Sequence, residues 1–537
     1  MDSDRIDAGG ITLRFAGGEL IAARDRAIAD NKGIAARIAA KDAGLWGPEA
    51  AAEAKVRLGW LDCVTVSRPL VAEIEQLRAT LRSEGVDHVV LCGMGGSSLA
   101  PEVITATYGA ELTTLDTTDP GQVGTALADR IERTVVVVSS KSGGTLETDS
   151  HRRAYEQAFR DAGIDPVGRI VVVTDPGSPL QRLAAEAGYR VFEADPNIGG
   201  RYSALSAFGL VPSGLAGVPV GELLDAAEAV AKTLAGDYGN AAVALGAALG
   251  EYGVDGHDKV VIADAGSGIV GFGDWAEQLL AESTGKNGRG LLPVVVQSPQ
   301  SPGFDSLPDT HLVTIGATAP EQGTAVEGSL GAQFLAWEFA TAVAGLLLGI
   351  DPFNQPNVQE SKDNTKAVLE HAGEGPLPTG EPLFSDGPIE VYGEAADVGG
   401  ATDLAGVIDA LLHAVPGHGY LAVMAYLDRL GDSAAAEVRD LLAARIPHPV
   451  TFGWGPRFLH STGQFHKGGP PVGVFLQITG ATDADVAIPG QPFGFARLQL
   501  AQALGDIQAL RARSRPAVRL HLTDRAAGIA ALLKAAR

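Results

Sequence analysis

Two short stretches place hydroxyl groups, amide hydrogens and an ammonium group where an apolar run ends. The first, "VVLCGMGGSS", runs into Gly93, Gly95, Gly96, Ser97 and Ser98. The second, "TVVVVSSKSGGTLET", runs into Ser139, Ser140, Lys141, Ser142, Gly143, Gly144 and Thr145, and a helix-compatible segment follows. Main-chain N–H groups and hydroxyls converging at the positive end of a helix make a phosphate site. Glycine at such a point lets the backbone come within hydrogen-bonding distance of a ligand. Four or five charge-assisted hydrogen bonds, each worth roughly 1.5–3 kcal/mol, suffice to hold a phosphate monoester. GxxxxGK[ST] is absent and GxGxxG is not matched after Gly93, so nucleotide binding lacks support. Either stretch alone reads more readily as a plain strand-to-helix connector. Two of them in consecutive units, one a cluster of hydroxyls, argue for a site.

Such loops need a scaffold that ends several strands at one edge, and in open parallel sheets ligands bind at the carboxyl ends of the strands. Apolar β-branched runs recur: "VVLC" before Gly93, "TVVVVSS", "RIVVVTD" from Arg169, "KVVIAD" from Lys259 and "LPVVVQ" from Leu292. They lack polar alternation, which suits strands buried on both faces. Ala- and Leu-rich segments lie between them, as in "GELLDAAEAVAKTLA" from Gly221, so the fold class is α/β with parallel sheets. A Pro/Gly-rich stretch at His371–Pro388 marks a linker or a long exposed loop. Beyond it "IEVYG", "PVTFGWG", "GVFLQITG" and "AVRLHLTD" announce a further, smaller α/β unit. The expected organisation is an N-terminal extension at 1–44, domains at 45–235 and 236–375, and a C-terminal unit at 376–537.

The chain has 537 residues, 45% of them hydrophobic, which is ample for large cores. Its net charge of −24 repels nucleic acid and anionic membrane surfaces, and any anionic ligand must be captured by local donors against that field. Two cysteines, Cys63 and Cys92, support neither a disulfide framework nor a zinc cluster. No spacing of His, Asp and Glu suggests another metal. The start, "MDSDRIDAGG", is unlike a signal peptide, and apolar stretches such as "FATAVAGLLLGI" read as too short to span a bilayer. A cytoplasmic protein without nucleic-acid or membrane partners is expected.

The two loops and "GGRYSALSAFGL" (Gly199–Leu210) resemble the signature segments of the phosphoglucose isomerases, whose domains have the sugar-isomerase fold. "AESTGKNGRG" (Ala281–Gly290) resembles that family's glutamate loop, and "GIDPFNQPNVQESK" (Gly349–Lys362) its lysine motif. The resemblance runs in the family's order over about 85–375. It is strongest to the isomerase half of transaldolase–phosphoglucose isomerase fusions, although no transaldolase part is present. It implies two sugar-isomerase-type parallel-sheet sandwich domains, with the third α/β unit an addition. By resemblance Glu282 is the catalytic base, and Arg201 steadies the enediolate and keeps that base ionised. Gln355 and Lys362 match the active-site glutamine and the lysine linked to ring opening. Gly95, Gly96, Ser97, Ser140, Lys141, Ser142 and Thr145 match the phosphate and substrate loops. A homodimer and a functional association with transaldolase are further implications.

The family also uses a histidine for ring opening. His311, in "DTHLV", has the right order but no motif; His460, in "FLHSTGQFHKGG", has the motif but lies after Lys362. The motif outweighs the order, so His460 is expected in the site, delivered by a C-terminal unit that folds back in the same subunit or its mate. His466 and Lys467 either line the same pocket or are exposed. In "PFGFARLQLAQALGDIQAL", Gln502 stands where a lysine would be, and the helix reads as structural.

Aldose–ketose isomerisation of a sugar phosphate requires one carboxylate reaching C1 and C2, a cation near the developing oxyanion and exclusion of water, but no cofactor. The expected substrates are glucose 6-phosphate and fructose 6-phosphate. A variant would also accept mannose 6-phosphate. The rivals are a non-catalytic sugar-phosphate-binding regulator and a structural partner in a pentose-phosphate assembly; the intact "ESTGK" favours the enzyme.

Overall fold

The computed structural model describes residues 4–537. The chain opens on an antiparallel hairpin of β1 (Arg5–Ala8) and β2 (Ile11–Ala16). A five-stranded sheet follows, built from β3 (His88–Gly93), β4 (Thr113–Leu115), β5 (Thr134–Ser139), β6 (Ile170–Thr174) and β7 (Arg190–Glu193). Its order is β4-β3-β5-β6-β7 and every pairing is parallel. All residues of β3, β5 and β6 are buried. Val89, Leu91, Val135 and Val137 join one core, while Val90, Cys92, Val136 and Val138 join another on the opposite face. Burial on both faces is why these runs show no polar alternation.

The second sheet contains β8 (Lys259–Asp264), β9 (Leu292–Val296), β10 (Thr310–Ile315) and β11 (Gly323–Gly328). These four are parallel, in the order β11-β10-β8-β9. β2 pairs antiparallel along β11, so the opening hairpin completes this sheet at six strands. Of the stretch expected as an N-terminal extension, the hairpin is thus an edge of the second sheet, and the helices Gly18–Asp30 and Ile34–Ala39 follow it. Ile11, Leu13 and Phe15 enter the core while their neighbours stay half-buried, the period-2 pattern of a strand with one face in the core.

The third sheet follows the Pro/Gly-rich stretch, of which Phe384–Asp386 is already strand β12. It adds β13 (Ile389–Tyr392), β14 (Tyr420–Tyr426), β15 (Val450–Trp454), β16 (Gly473–Gly480) and β17 (Ala517–Leu522), in the order β12-β13-β17-β16-β14-β15. This order repeats that of the second sheet. In both, an antiparallel hairpin borders the fourth strand of a parallel unit, and the third, first and second strands follow. Along β14 the faces alternate: Leu421, Val423 and Ala425 serve the unit's own core. Tyr420, Ala422, Met424 and Tyr426 share a cluster with Val261, Ala263 and Val294 of the second sheet. The C-terminal unit is docked through a core.

Among the described residues one helix, Leu330–Leu347, is long and apolar enough to cross a membrane. Its apolar run starts earlier than "FATAVAGLLLGI", so the expectation that such stretches are too short does not hold for length. It is 89% buried between the other helices, and that accounts for its composition.

Candidate active site

Glu282 lies in the last turn of helix Phe272–Thr284, which connects β8 to β9. One turn earlier Gln278 Nε2 donates to Glu282 Oε2 at 3.0 Å and to the main-chain carbonyl of His460 at 2.8 Å. The other carboxylate oxygen, Oε1, stands 3.6 Å from Arg201 Nη1. Arg201 sits on the short turn Gly200–Tyr202 and is buried. Its Nε donates to Ser283 Oγ at 2.8 Å and its Nη1 to Gln355 Oε1 at 2.8 Å. Nη2 donates to the carbonyls of Pro352 and Asn354 at 2.8 and 3.0 Å. With so many donors committed, the guanidinium is a fixed positive plane beside the carboxylate.

The loop carrying Pro352–Gln355 is held from behind by Lys286, whose Nζ donates to the Asp351 carbonyl at 2.7 Å and to Asn354 Oδ1 at 2.9 Å. Burial, reinforced by Arg201, pushes the Lys286 ammonium well below its usual range. Lys362 lies at the start of helix Val358–Ala372, exposed along the cavity wall.

The first glycine loop is shaped by protein main chain as much as by ligand access. A Cβ on Gly96 would fall 2.1 Å from the Gly200 carbonyl oxygen. Gly95 is left-handed (φ 54°), and a Cβ there would sit 2.8 Å from the His460 oxygen and 2.7 Å from Gln278 Nε2. These glycines let three segments meet: the β3 loop, the Arg201 turn and the His460 turn.

In the second loop Ser142 and Thr145 face the cavity, and Thr145 is the N-cap of helix Leu146–Asp161. Ser140 is buried one layer behind: its Oγ accepts the Gly143 N–H at 3.1 Å and lies 3.0 Å from Thr145 Oγ1. It does not line the cavity itself. Lys141 Nζ is paired with Asp175 Oδ2 at 2.6 Å. Burial lowers the lysine and raises the aspartate, each against the pull of its partner.

His460 reaches this place from the C-terminal unit of the same chain, on the turn Arg457–His460. Its Nε2 donates to Glu147 Oε1 at 3.1 Å, and Gln502 Nε2 donates to the same oxygen at 2.7 Å. Burial opposes ionisation of Glu147, but His460 above all, with Lys362 behind it, holds the carboxyl down at about 2.

These residues surround one cavity of about 350 Å³, of a size that suits a small ligand. Its wall includes Gly95, Gly96, Ser97, Lys141, Ser142, Thr145, Arg201, Glu282, Gln355, Lys362 and His460. His311 is elsewhere, buried in β10 with Nε2 2.9 Å from Thr324 Oγ1, and burial lowers its pKa to about 3. His466 and Lys467 neither line the cavity nor reach solvent. His466 Nδ1 is 3.0 Å from the Tyr420 hydroxyl, and Lys467 is buried against Asp506 at 2.7 Å. Apolar docking of the C-terminal unit took both inward. Sequence reasoning missed Gln278, which the four-residue spacing to Glu282 on a helix signals. It also missed Glu147 in "TLET", which directly follows the second glycine–serine loop. Arg57 and Asp175, near Lys141 in the wall, have no local signal.

Residues 74–287 match the family model described as phosphoglucose isomerase. Two relatives illustrate the likeness. A Natronomonas pharaonis protein with the name "Probable glucose-6-phosphate isomerase" is 32% identical over 303 residues, covering 52% of this chain and 69% of the relative. A Cyanothece sp. protein named "Glucose-6-phosphate isomerase" is 33% identical over 210 residues, covering 37% of this chain and 40% of that one. The fold is similar to the crystal structure of a glucose-6-phosphate isomerase from Chlamydia trachomatis, with a TM-score of 0.55 at 19% identity. That match covers 70% of this chain and 91% of the Chlamydia chain.

Proposed function

The chain belongs to the phosphoglucose isomerase family, and from that premise we propose that it interconverts glucose 6-phosphate and fructose 6-phosphate through an enediolate. The substrate phosphate binds the two strand-end loops, taking hydrogen bonds from Ser97, Ser142, Thr145 and the main chain around them. His460, with Lys362 nearby, opens the ring: one proton goes to the ring oxygen and one leaves the anomeric hydroxyl. Glu282 then takes the proton from C2 of the aldose and returns it to C1, while a second proton passes from the hydroxyl on C2 to the oxygen on C1. Charge builds up on the sugar oxygens during this exchange, and the Arg201 guanidinium is the fixed cation that opposes it.

The single observation that carries this reading is convergence. Glu282, Arg201 and both glycine–serine loops face one cavity, with Arg201 Nη1 3.6 Å from the carboxylate. A coupled assay on the wild type and Glu282→Gln tests it. The expected result is a fall in kcat of about a thousandfold or more with fructose 6-phosphate binding retained. A Glu282→Gln enzyme of near wild-type activity would overturn the assignment. An inactive wild type that still binds the phosphosugar would favour a regulator.

A further inference from the structure

Ring opening depends on how His460 is held, and a single carboxylate oxygen holds it. Glu147 Oε1 takes His460 Nε2 at 3.1 Å and Gln502 Nε2 at 2.7 Å. The amide of Gln502 cannot turn the other way, because its Oε1 would then face the acceptor-only Glu147 carboxylate; as placed, Oε1 accepts from Thr118 Oγ1 at 2.7 Å. All of this is out of solvent: Glu147 is 6% exposed and Gln502 3%. The glutamine belongs to helix Phe495–Ala512 of the C-terminal unit, Glu147 to the first unit. The ring of His460 is therefore aimed by an acid of one unit, and that acid is pinned by an amide of another.

We infer that Gln502 is a positioning residue for ring opening, fixing Glu147 so that its carboxylate commits Nε2 of His460 and leaves Nδ1 as the nitrogen that exchanges a proton with the sugar. This rests on the isomerase reading given above. The choice of side chain follows from charge. A lysine at 502 would place a full positive charge on the oxygen that supports His460 and would disfavour the protonated imidazole. A neutral amide gives the same hydrogen bond without that competition. An apolar side chain would leave the buried carboxylate oxygen with one donor instead of two. The titratable groups around Glu147 are His460, Lys362, His151 one turn along its own helix, and Tyr426 of β14. On the Gln502 helix, the next acid, Asp506, is already paired with Lys467.

The test separates ring opening from proton transfer. Enzyme-catalysed interconversion of the α and β anomers of glucose 6-phosphate, followed by NMR exchange spectroscopy, reports ring opening alone. Glu282→Gln should lose isomerisation yet keep anomerisation. Adding Gln502→Met, of similar volume, should lower anomerisation at least about tenfold, with phosphosugar affinity within twofold. Gln502→Glu keeps the shape but replaces the donor with a second carboxylate, and should lose at least as much. In the otherwise wild-type enzyme both substitutions should lower kcat and leave KM nearly unchanged. Unchanged anomerisation in either folded variant, or a loss that tracks weakened binding, would overturn the role of Gln502 while leaving the isomerase reading intact. Isomerisation surviving in Glu282→Gln would instead sink the reading on which it rests.

Discussion

Gly96 shows what one hydrogen atom in place of a methyl group does for this site. Its α-carbon faces the Gly200 carbonyl so closely that an added Cβ would stand 2.1 Å from that oxygen. Main chain on both sides cannot give way as a flexible side chain would. Gly96→Ala should therefore push the Arg201 turn away from Glu282, lower kcat by about two orders of magnitude and cost about 2–4 kcal/mol of stability. Enzyme assays and urea unfolding check the two effects, and a fully active variant would show that the turn has slack. The glycines of the first loop were legible as a place of close approach. That the approaching groups are Gly200 and His460, far away in sequence, was not.

Helix Phe272–Thr284 has two polar faces with opposite duties. Gln278 and Glu282 look into the active cavity, while Asp274 and Glu277 line a second space of about 440 Å³ against the C-terminal unit. Burial raises the Glu277 carboxyl to about 8, with Asp274 adding to the rise and a hydrogen bond from Ser461 Oγ at 3.0 Å opposing it. Unfolded, this group ionises near 4.5. Between those values the folded chain keeps a proton that the unfolded chain releases, so this group makes stability fall as pH rises from about 4.5 towards 8. Glu277→Gln should match the wild type at pH 4.5 and exceed it by about 1–3 kcal/mol at pH 8. Denaturant curves at both values decide the matter, and a difference that does not vary with pH would refute it. Because Ser461 follows His460 directly, the same helix also contacts both sides of the histidine turn.

The three units are locked together where Arg457 of the C-terminal unit enters between the other two. Its Nη1 bridges Glu102 and Asp116 of the first unit, the latter at 2.7 Å, and its Nη2 lies 3.3 Å from Asp274 of the second. Asp116 is 1% exposed, and without that cation it keeps only the Ser98 hydroxyl at 3.2 Å and Arg429 at 4.0 Å. Arg457→Met should cost about 3–5 kcal/mol and lower activity, since His460 is carried by the same turn. Thermal and urea unfolding measure the first effect; a loss below about 1 kcal/mol would mean that apolar docking alone seats the unit. That unit repeats the strand order of the second sheet, hairpin included. The repeat was hidden because topology is conveyed by pairing, and pairing leaves no local pattern in residues as different as "ITLRFA" and "IEVY".

The sequence alone determined whatever depends on neighbours along the chain. Strands buried on both faces announce themselves as unbroken apolar runs, and β5, β6, β8, β9 and β16 fall where those runs are. The half-buried β2 and the short β4 have weaker patterns and went unread. β10 is fully buried, but its run "THLVTI" is broken by polar residues, and His311 looked available because of that. The loops, Glu282 and the lysine motif could be named because each is a contiguous word. Which words share a cavity is a different matter. Glu147, Gln502 and His460 come from three separate stretches, and only the packing of the C-terminal sheet onto the second brings them within hydrogen-bond reach. Contacts of that kind are set by the burial of apolar faces distributed over the whole chain, so no local window contains them.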